Sequence, residues 1–432
     1  MKKLSFKFLI LFAVLAVISC SKKEDPIDQP TTPLTLVLSS DVGPGELEVV
    51  GINTIAMFTI TGSDGEDYTN SSQLFVNDQE ISGSTYEFTQ TGRFSVKAVY
   101  EGITSNILSF EVLEPSERVL IVDVPKALRN QTITFKLLDD QGNDSAPEAD
   151  FFVNGEAITG NTFSTATPGD FEVYANYVAN DDPYTSATKN FQVFVPKRKV
   201  VIEDYTGTWC GFCPAVAVAI DEAREATEHV AVVAIHKTSS TIPDPMDFPR
   251  IQELQDMFGI DNGFPKAQLN RTTSWVNPYP MDRVLSMAGN DTDVAIGINS
   301  QLTGSNLTVK VKVVYENGSA PGDKLVVYLL ENDIVSPQVN YFNETPGHPY
   351  EGLGNPIENY VHNDALRNSL SDLFGDAIPN KPAFEKFEKE YSFSVPSNYV
   401  GDNLSFVVMV VDSDNTAKNA QFSKINENKD YE

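Results

Sequence analysis

Cysteine, histidine and positive charge are all scarce in this sequence. Its 432 residues include three cysteines and four histidines, and 31 lysines and arginines stand against 60 aspartates and glutamates. Three cysteines cannot build a framework of several structural disulfides. A zinc site needs four ligands, or three and a water, so one Cys-x-x-Cys pair without histidines at ligand spacing predicts neither a metal nor another cofactor. The formal net charge of −29 repels phosphate backbones, so no nucleic-acid partner is expected.

The chain begins with a basic and then apolar stretch that is not part of a fold. Three lysines in the first seven residues precede the run FLILFAVLAVI, which is too short and ends too abruptly to be a stable membrane span. It ends at VISC, where a small residue directly before Cys20 resembles the bacterial lipobox. The resemblance implies a lipoprotein signal peptide over 1–19, cleavage before Cys20, and acyl chains that anchor the new N-terminus. The alternative is an ordinary signal peptide cut elsewhere.

The residues that follow Cys20 are polar and include prolines, which predicts a flexible tether over 20–33. Lys23, Glu24 and Asp25 resemble the export signal of surface-exposed lipoproteins in Bacteroidetes. We therefore expect an outer-membrane protein that is lipid-anchored at Cys20, on the periplasmic face or on the cell surface. If Cys20 carries lipid, the two remaining cysteines hold every free thiol of the mature protein, in an oxidising compartment.

A repeat precedes the cysteine pair. The stretch FVNDQEISGSTYEFTQTGRFSVKAVY, which ends at Tyr100, aligns without a gap with FVNGEAITGNTFSTATPGDFEVYANY, which ends at Tyr177. Short alternating runs are split there by Asn-Asp, Asn-Gly and Thr-Gly turns, a pattern that predicts antiparallel strands. We therefore expect tandem immunoglobulin-like sandwiches over 34–114 and 115–197, which serve either as spacers or as binding modules.

Residues 198–290 change to an α/β pattern. Near-continuous apolar strands, KVVIEDYTG and HVAVVAIHK, flank the predicted helix CPAVAVAIDEAREATE. A second helix, DFPRIQELQDMFGI, precedes a third strand, GFPKAQLNR, and YPMDRVLSMAGN predicts a last helix. This order of strands and helices is typical of an α/β domain with right-handed crossovers.

Residues 291–432 again have the sequence pattern of β-strands, which predicts a third sandwich. Its strands are DVAIGINSQLTG, NLTVKVKVVYENG, DKLVVYLLEND, EKEYSFSVP and NLSFVVMVVDSDN. A long insertion, about 334–385, separates the third from the fourth, and its stretch YVHNDALRNSLSDLFG predicts a helix. Long loops are more often functional than idle. His362 and Arg367 are its polar candidates, and the alternative is that they only anchor the insertion.

The cysteine pair lies in a six-residue motif made of Trp209, Cys210, Gly211, Phe212, Cys213 and Pro214. This motif follows an apolar strand and opens a helix, and Phe264 and Pro265 precede a later strand. The combination resembles a thioredoxin-fold domain over 198–290. The order of sandwich repeats, EDYTGTWCGFCP and YVHNDALR also resembles the "Omp-twenty-eight-related" outer-membrane lipoproteins of Bacteroidetes over 198–432. Gly211-Phe212 replaces the Gly-Pro of the reducing thioredoxins, so their reduction potential does not carry over.

A thiolate is stabilised at the start of a helix, where free N–H groups and the helix dipole favour an anion. We therefore expect Cys210 to be the nucleophile in thiol-disulfide exchange, and Cys213, one turn further in, to resolve the mixed disulfide. As a structural staple so short a loop would add little stability.

The thioredoxin resemblance implies two further roles. Pro265 matches the position of a cis-proline packed beside the cysteines, which leaves neighbouring backbone free to pair with an extended substrate. Asp204, six residues before Cys210, matches a buried proton acceptor. The alternative is that Asp204 or the adjacent Glu203 faces solvent or pairs with a nearby lysine, Lys197 or Lys199.

Two functions follow from these observations. The first is a thiol-disulfide oxidoreductase that acts on extracytoplasmic protein thiols or disulfides and needs an external electron partner, because the chain has no second Cys-x-x-Cys. The second is a surface binding or adhesion lipoprotein whose thioredoxin-like domain is a scaffold without catalysis.

Overall fold

The structure is a computed structural model that describes residues 34–42 and 48–432. The predicted signal peptide, the tether and Cys20 lie outside the described residues. Within the described part, no helix is both long enough and apolar enough to cross a membrane.

The described residues of the first sandwich form nine short strands, β1 to β9. Their alternating apolar residues point into one core that includes Phe58, Phe88 and Phe110. One sheet has the order β1-β3-β6, and the other has the order β2-β9-β7-β4-β5 with β8 paired to β7. In chain order the strands are Leu36–Ser40, Glu48–Gly51, Ile55–Gly62, Gln73–Val76, Gln79–Ile81, Thr85–Glu87, Gly92–Tyr100, Ile103–Thr104 and Leu108–Leu113.

The second sandwich, β10 to β18, repeats this arrangement. Its sheets have the orders β10-β12-β15 and β11-β18-β16-β13-β14, with β17 paired to β16. A one-turn 3₁₀ helix, Ala146–Glu148, precedes β13. In chain order the strands are Val119–Val122, Lys126–Leu128, Ile133–Leu138, Asp150–Val153, Glu156–Ala157, Thr162–Phe163, Gly169–Ala179, Asp182–Thr185 and Lys189–Phe194.

The two asparagines that recur in the repeat have the same local role. Asn77 and Asn154 adopt positive φ values of 48° and 50° in turns, a conformation that asparagine tolerates better than most residues. Each side-chain oxygen accepts a backbone N–H from the neighbouring strand, that of Ser95 at 2.8 Å and that of Glu172 at 2.9 Å. The two copies of the sequence repeat therefore have the same turn geometry at this asparagine.

The α/β segment contains the three strands and three helices that the pattern predicts, and a fourth strand that it does not predict. The three predicted strands are largely buried, and the helices are short. Its elements are β19 (Val200–Thr206), α1 (Pro214–Ala226), β20 (Val230–His236), α2 (Ile251–Phe258), β21 (Lys266–Leu269), β22 (Thr273–Trp275) and α3 (Met281–Leu285). β19 and β20 are parallel, and the β21–β22 hairpin pairs antiparallel to β19.

The C-terminal part contains eleven strands, β23 to β33, among which all five predicted runs are found. A 3₁₀ helix, Gly401–Asn403, precedes β31. The strands are Val294–Thr303, Asn306–Tyr315, Lys324–Glu331, Ile334–Gln338, Ile357–His362, Ala365–Ser369, Asp376–Ala377, Phe387–Ser394, Leu404–Val411, Ala417–Lys424 and Asn428–Lys429.

The helix predicted in the insertion is wrong. YVHNDALRNSLSDLFG instead contains the end of β27 and all of β28, and the two strands are separated by Asn363 and Asp364. Asp364 has a φ of 58°, which a continuing helix does not allow. Next to it, Ala365 and Leu366 pair with β25, so sheet hydrogen bonds and burial outweigh the local helix preference.

One sheet of nine strands runs through both the α/β segment and the C-terminal part. Its order is β22-β21-β19-β20-β28-β25-β31-β32, with β29 paired to β25. The sheet crosses the expected boundary at 290/291 through parallel pairing of Ala234 with Ala365. A second sheet, β30-β24-β23-β33, packs on part of this sheet and completes a sandwich around residues such as Val309, Leu329 and Phe406. The expected α/β and sandwich domains thus share a sheet.

Candidate functional site

The cysteine motif lies directly after a buried strand and before a helix. β19 ends at Thr206, and α1 begins at Pro214, which fits a first helical turn because it lacks an N–H. Cys213 is the N-cap residue of α1, and its N–H donates to the carbonyl oxygen of Cys210 at 3.2 Å. Cys210 therefore lies in the turn before the helix, and not at its N-terminus, because Gly211 and Phe212 separate it from the cap.

The two cysteines form a disulfide bond. Both are buried, with 5% of Cys210 and 4% of Cys213 exposed. These values do not distinguish the two cysteines by solvent access. In this state either sulfur needs a movement of its surroundings before a large partner can reach it.

The aromatic side chains of Trp209 and Phe264, which directly precede the first cysteine and Pro265 in sequence, pack together. Their rings stack with centroids 5.8 Å apart, and the indole Nε1 of Trp209 donates to the carbonyl oxygen of Lys237 at 2.6 Å. The Phe264–Pro265 peptide bond is cis, as the resemblance implies. Pro265 also borders a groove of about 600 Å³ that extends to Phe212.

A cavity of about 180 Å³ lies behind Cys213. Among the groups that line it are the side chains of Asp204, Cys213, His236, His362 and Asp364. Oδ1 of Asp204 has no hydrogen-bond partner within the described part of the chain. Burial, and then the nearby charge of Asp364, raise the pKa of Asp204 to about 8. A carboxyl group that is protonated near neutral pH thus lines the same cavity as one cysteine of the disulfide.

Asp364 also lines this cavity and is paired. Nη2 of Arg224 donates to both carboxylate oxygens of Asp364, at 2.7 and 2.8 Å. Burial raises the pKa of Asp364, and Arg224 opposes that shift. Because 39% of the Arg224 side chain is exposed, this ion pair connects the cavity to solvent.

Glu203 has a different environment from Asp204. Its Oε1 is 3.0 Å from Nε of Arg271, and both side chains are fully buried. The two lysines considered as partners are engaged elsewhere, Lys197 with Asp291 and Lys199 with Glu432. Neither Asp204 nor Glu203 faces solvent, and Asp204 is the one that lines the cavity.

His362 and Arg367 have separate surroundings. The ring of His362 lines the cavity 5.4 Å from that of His236, and burial first, then His236, lower the pKa of His362 to about 4. Arg367 pairs with Glu331 at 3.2 Å and packs over the ring of Tyr399. Arg367 therefore anchors its strand, whereas His362 belongs to the cavity.

No local sequence pattern indicates the segment that covers the motif. Residues 338–342, hereafter the strap, begin at Gln338, the last residue of β26. The side-chain amide of Gln338 contacts the motif, and its Nε2 donates to the carbonyl oxygen of Cys210 at 3.0 Å. The sequence separation of 128 residues leaves no local pattern to read, and only the length of the insertion pointed to a role. Among the described residues, no cluster of three His, Cys, Asp or Glu side chains could hold a metal.

Comparisons with solved structures give distant likenesses only. HBP35 of Porphyromonas gingivalis is 20% identical over 54% of this chain and 77% of its own, with a TM-score of 0.42. The fibronectin(III)-like modules of Clostridium thermocellum CbhA are 19% identical over 37% and 93%, with a TM-score of 0.16. The D00-D0 domain of Intimin is 14% identical over 36% and 99%, with a TM-score of 0.15. A comparison with curated proteins found no match.

One known family matches part of the chain. Residues 251–429 match the family described as "Outer membrane protein Omp28", which is less than half of the sequence and begins at the start of α2. The match therefore includes the strap, Pro265 and His362 but leaves out both cysteines. The protein is thus a multidomain, mostly β-sandwich chain whose C-terminal part is similar to an outer-membrane protein family.

Proposed function

We propose that this protein exchanges thiols and disulfides with extracytoplasmic polypeptides through Cys210 and Cys213, held in a thioredoxin-like segment. The observation that carries the proposal is the cavity in which Asp204, buried and without a hydrogen-bond partner at Oδ1, faces the same space as Cys213. An inert disulfide has no need of an adjacent buried acid. Perturbed carboxyl groups of this kind cluster at functional sites.

The reaction of the disulfide form can be written in two steps. A substrate thiolate attacks Sγ of Cys210, the bond between the two cysteines breaks, and Cys213 leaves as a thiolate. Asp204, protonated at neutral pH because its pKa is about 8, supplies a proton to Cys213. A second substrate thiolate then attacks the substrate sulfur of the mixed disulfide, and Cys210 leaves.

The net result is one disulfide bond formed in the substrate and two electrons gained by the cysteine pair. The reverse sequence starts from the dithiol and reduces a substrate disulfide, with Asp204 as the acceptor of the Cys213 proton. In either direction an external dithiol or disulfide partner has to restore the pair. The groove beside Pro265 gives the substrate chain a place to lie.

The position of the protein is part of the proposal. The Omp28 match supports the outer membrane, and the lipid anchor at Cys20, on the periplasmic face or the cell surface, is the means by which the chain would be held there. The two N-terminal sandwiches then act as a spacer between the membrane and the reactive segment.

A trapping experiment tests the exchange. In cells that produce the full chain, Cys213→Ser should accumulate mixed disulfides on Cys210, since no resolving thiol remains, and non-reducing electrophoresis should show them as bands lost on reduction. Cys210→Ser and the double serine variant serve as controls and should give none. Equal capture by both single variants, or none by either, would refute the assignment of Cys210 as nucleophile.

The second candidate function is a surface binding or adhesion protein in which the disulfide is inert. The near-complete burial of both cysteines favours it. It predicts that no variant captures a partner and that the oxidised pair resists reduction until the chain unfolds.

A further inference from the structure

The strap leaves β26 and lies along the cysteine motif up to a turn that begins at Tyr341. The N–H of Val339 donates to the carbonyl oxygen of Thr208 at 2.8 Å, and the N–H of Tyr341 donates to that of Gly211 at 2.9 Å. Two donors that are two residues apart on one side of a segment are typical of an extended strand. The motif thus receives this segment through main-chain hydrogen bonds, which do not depend on which side chains the segment carries.

The ring of Tyr341 lies directly on Gly211. A Cβ atom at position 211 would be 2.4 Å from Cγ of Tyr341, so only glycine admits the ring there. The ring of Phe212 meets that of Tyr341 edge to face at 5.1 Å. Because 56% of each of these two residues remains exposed, they form an aromatic surface at the rim of the site and not a closed core.

The opposite side of the strap is held by its own insertion. Asn340 is fully buried, and its Nδ2 donates to the carbonyl oxygens of Tyr350 and Gly354 at 2.9 and 3.0 Å. The strap is therefore held to the insertion through Asn340, and it contacts the motif through Gln338, Val339 and Tyr341. A contact of this kind can open without unfolding the sheet beneath.

We propose that the strap occupies the binding site of the substrate polypeptide. This inference rests on the function proposed above. The partner that replaces it is an extended chain that donates N–H groups to Thr208 and Gly211 and places an aromatic side chain on Gly211. Such a chain brings its own sulfur to the pair only once the strap has left, because the strap and its neighbours leave the cysteines buried.

The strap competes with the partner as a tethered ligand. A tethered segment has an effective concentration on the order of millimolar, so a partner at lower concentration needs contacts that the strap does not make. The groove between Phe212 and Pro265 offers them, since it extends from Phe342 of the strap to Val276. Specificity for the partner then comes from a chain that is long enough to bind both the site of the strap and the groove.

The first test measures access to the disulfide of the purified full chain with a phosphine reductant, which transfers two electrons to the bond and leaves as the phosphine oxide. Tyr341→Ala should be reduced about ten times faster than the wild type, since loss of the ring contact shifts the closed state by roughly 1.4 kcal/mol. Gly211→Ala should have the same effect, because its Cβ displaces the ring. Val335→Ala, an equally exposed apolar position on β26 of the same insertion, should react at the wild-type rate.

The second test identifies the partner chemistry. A capped peptide with the strap sequence QVNYF should bind Tyr341→Ala and slow its reduction, and a peptide with alanine in place of tyrosine should not. Thermal unfolding of every variant checks that access to the disulfide does not reflect a loss of folding.

Reduction of Tyr341→Ala at the wild-type rate would show that the strap does not cover the disulfide. Equal protection by both peptides would show that binding does not need an aromatic side chain on Gly211. Neither outcome depends on trapping by Cys213→Ser, so failure of this inference and failure of the proposed function are told apart.

Discussion

Replacement of Arg271 by methionine should destabilise the protein by about 3–5 kcal/mol, because it leaves the buried carboxylate of Glu203 without its partner. Both side chains have no exposed surface. Arg271 also donates through Nη2 to the hydroxyl of Tyr328 in β25 and packs over the ring of Phe258 in α2. The loss therefore affects the place where the β21–β22 turn meets the C-terminal strands.

Urea unfolding at pH 7 measures this effect. Arg250→Met is the matched control, since Arg250 forms an exposed ion pair with Glu253 and exposed pairs contribute little. The double variant Arg271→Met with Glu203→Met should be less destabilised than Arg271→Met alone, because no charge is left buried. If the double variant is the less stable of the two, the cost comes from packing and not from the unpaired carboxylate.

The second large effect concerns the pH dependence of stability at Asp204. Its folded-state pKa is raised from 3.8 to about 8 by burial and by Asp364. The folded protein thus holds this proton more tightly than the unfolded chain does. The resulting stability is complete below pH 3.8 and is lost as the pH rises to about 8, at roughly 1.4 kcal/mol per pH unit.

Asparagine cannot ionise, so Asp204→Asn should lack this loss. Relative to the wild type, the variant should gain about 3–4 kcal/mol in unfolding free energy between pH 5 and pH 8. Urea unfolding of the oxidised proteins at both pH values measures it. Glu225→Gln, an exposed position in α1, is the control and should run parallel to the wild type. A variant curve parallel to that of the wild type would show that Asp204 titrates at an ordinary pKa.

Much of the fold is accessible from local sequence patterns. The alternating runs and Asn turns of the repeat predict both sandwiches, and the apolar strand before Cys210 and the Pro214 helix start predict the elements around the motif. The insertion was not predictable in this way. Its strand β28 owes its conformation to pairing with β20 and β25, more than a hundred residues away in the case of β20, and helix propensity is a poor guide where such partners exist.

In the candidate site, too, some residues could be predicted from the sequence and others could not. Cys210 and Cys213 could be named from the motif itself, and Pro265 and Asp204 from its resemblance to the thioredoxin fold. The surroundings that decide their chemistry come from residues with no motif, such as Tyr341 over Gly211 and Asp364 in the cavity. The motif and its resemblance therefore name the candidate residues, and long-range contacts determine their burial and their proton affinity.

The sheet shared by the α/β segment and the C-terminal strands also governs how the chain can fold. Until Ala365 pairs with Ala234, β20 is an edge strand with unpaired backbone groups and an apolar face. Closure requires contacts across more than a hundred residues, and contacts of such separation form slowly. The part that carries the cysteines therefore passes through an aggregation-prone interval during folding. It cannot be excised as residues 198–290 without exposing that edge permanently.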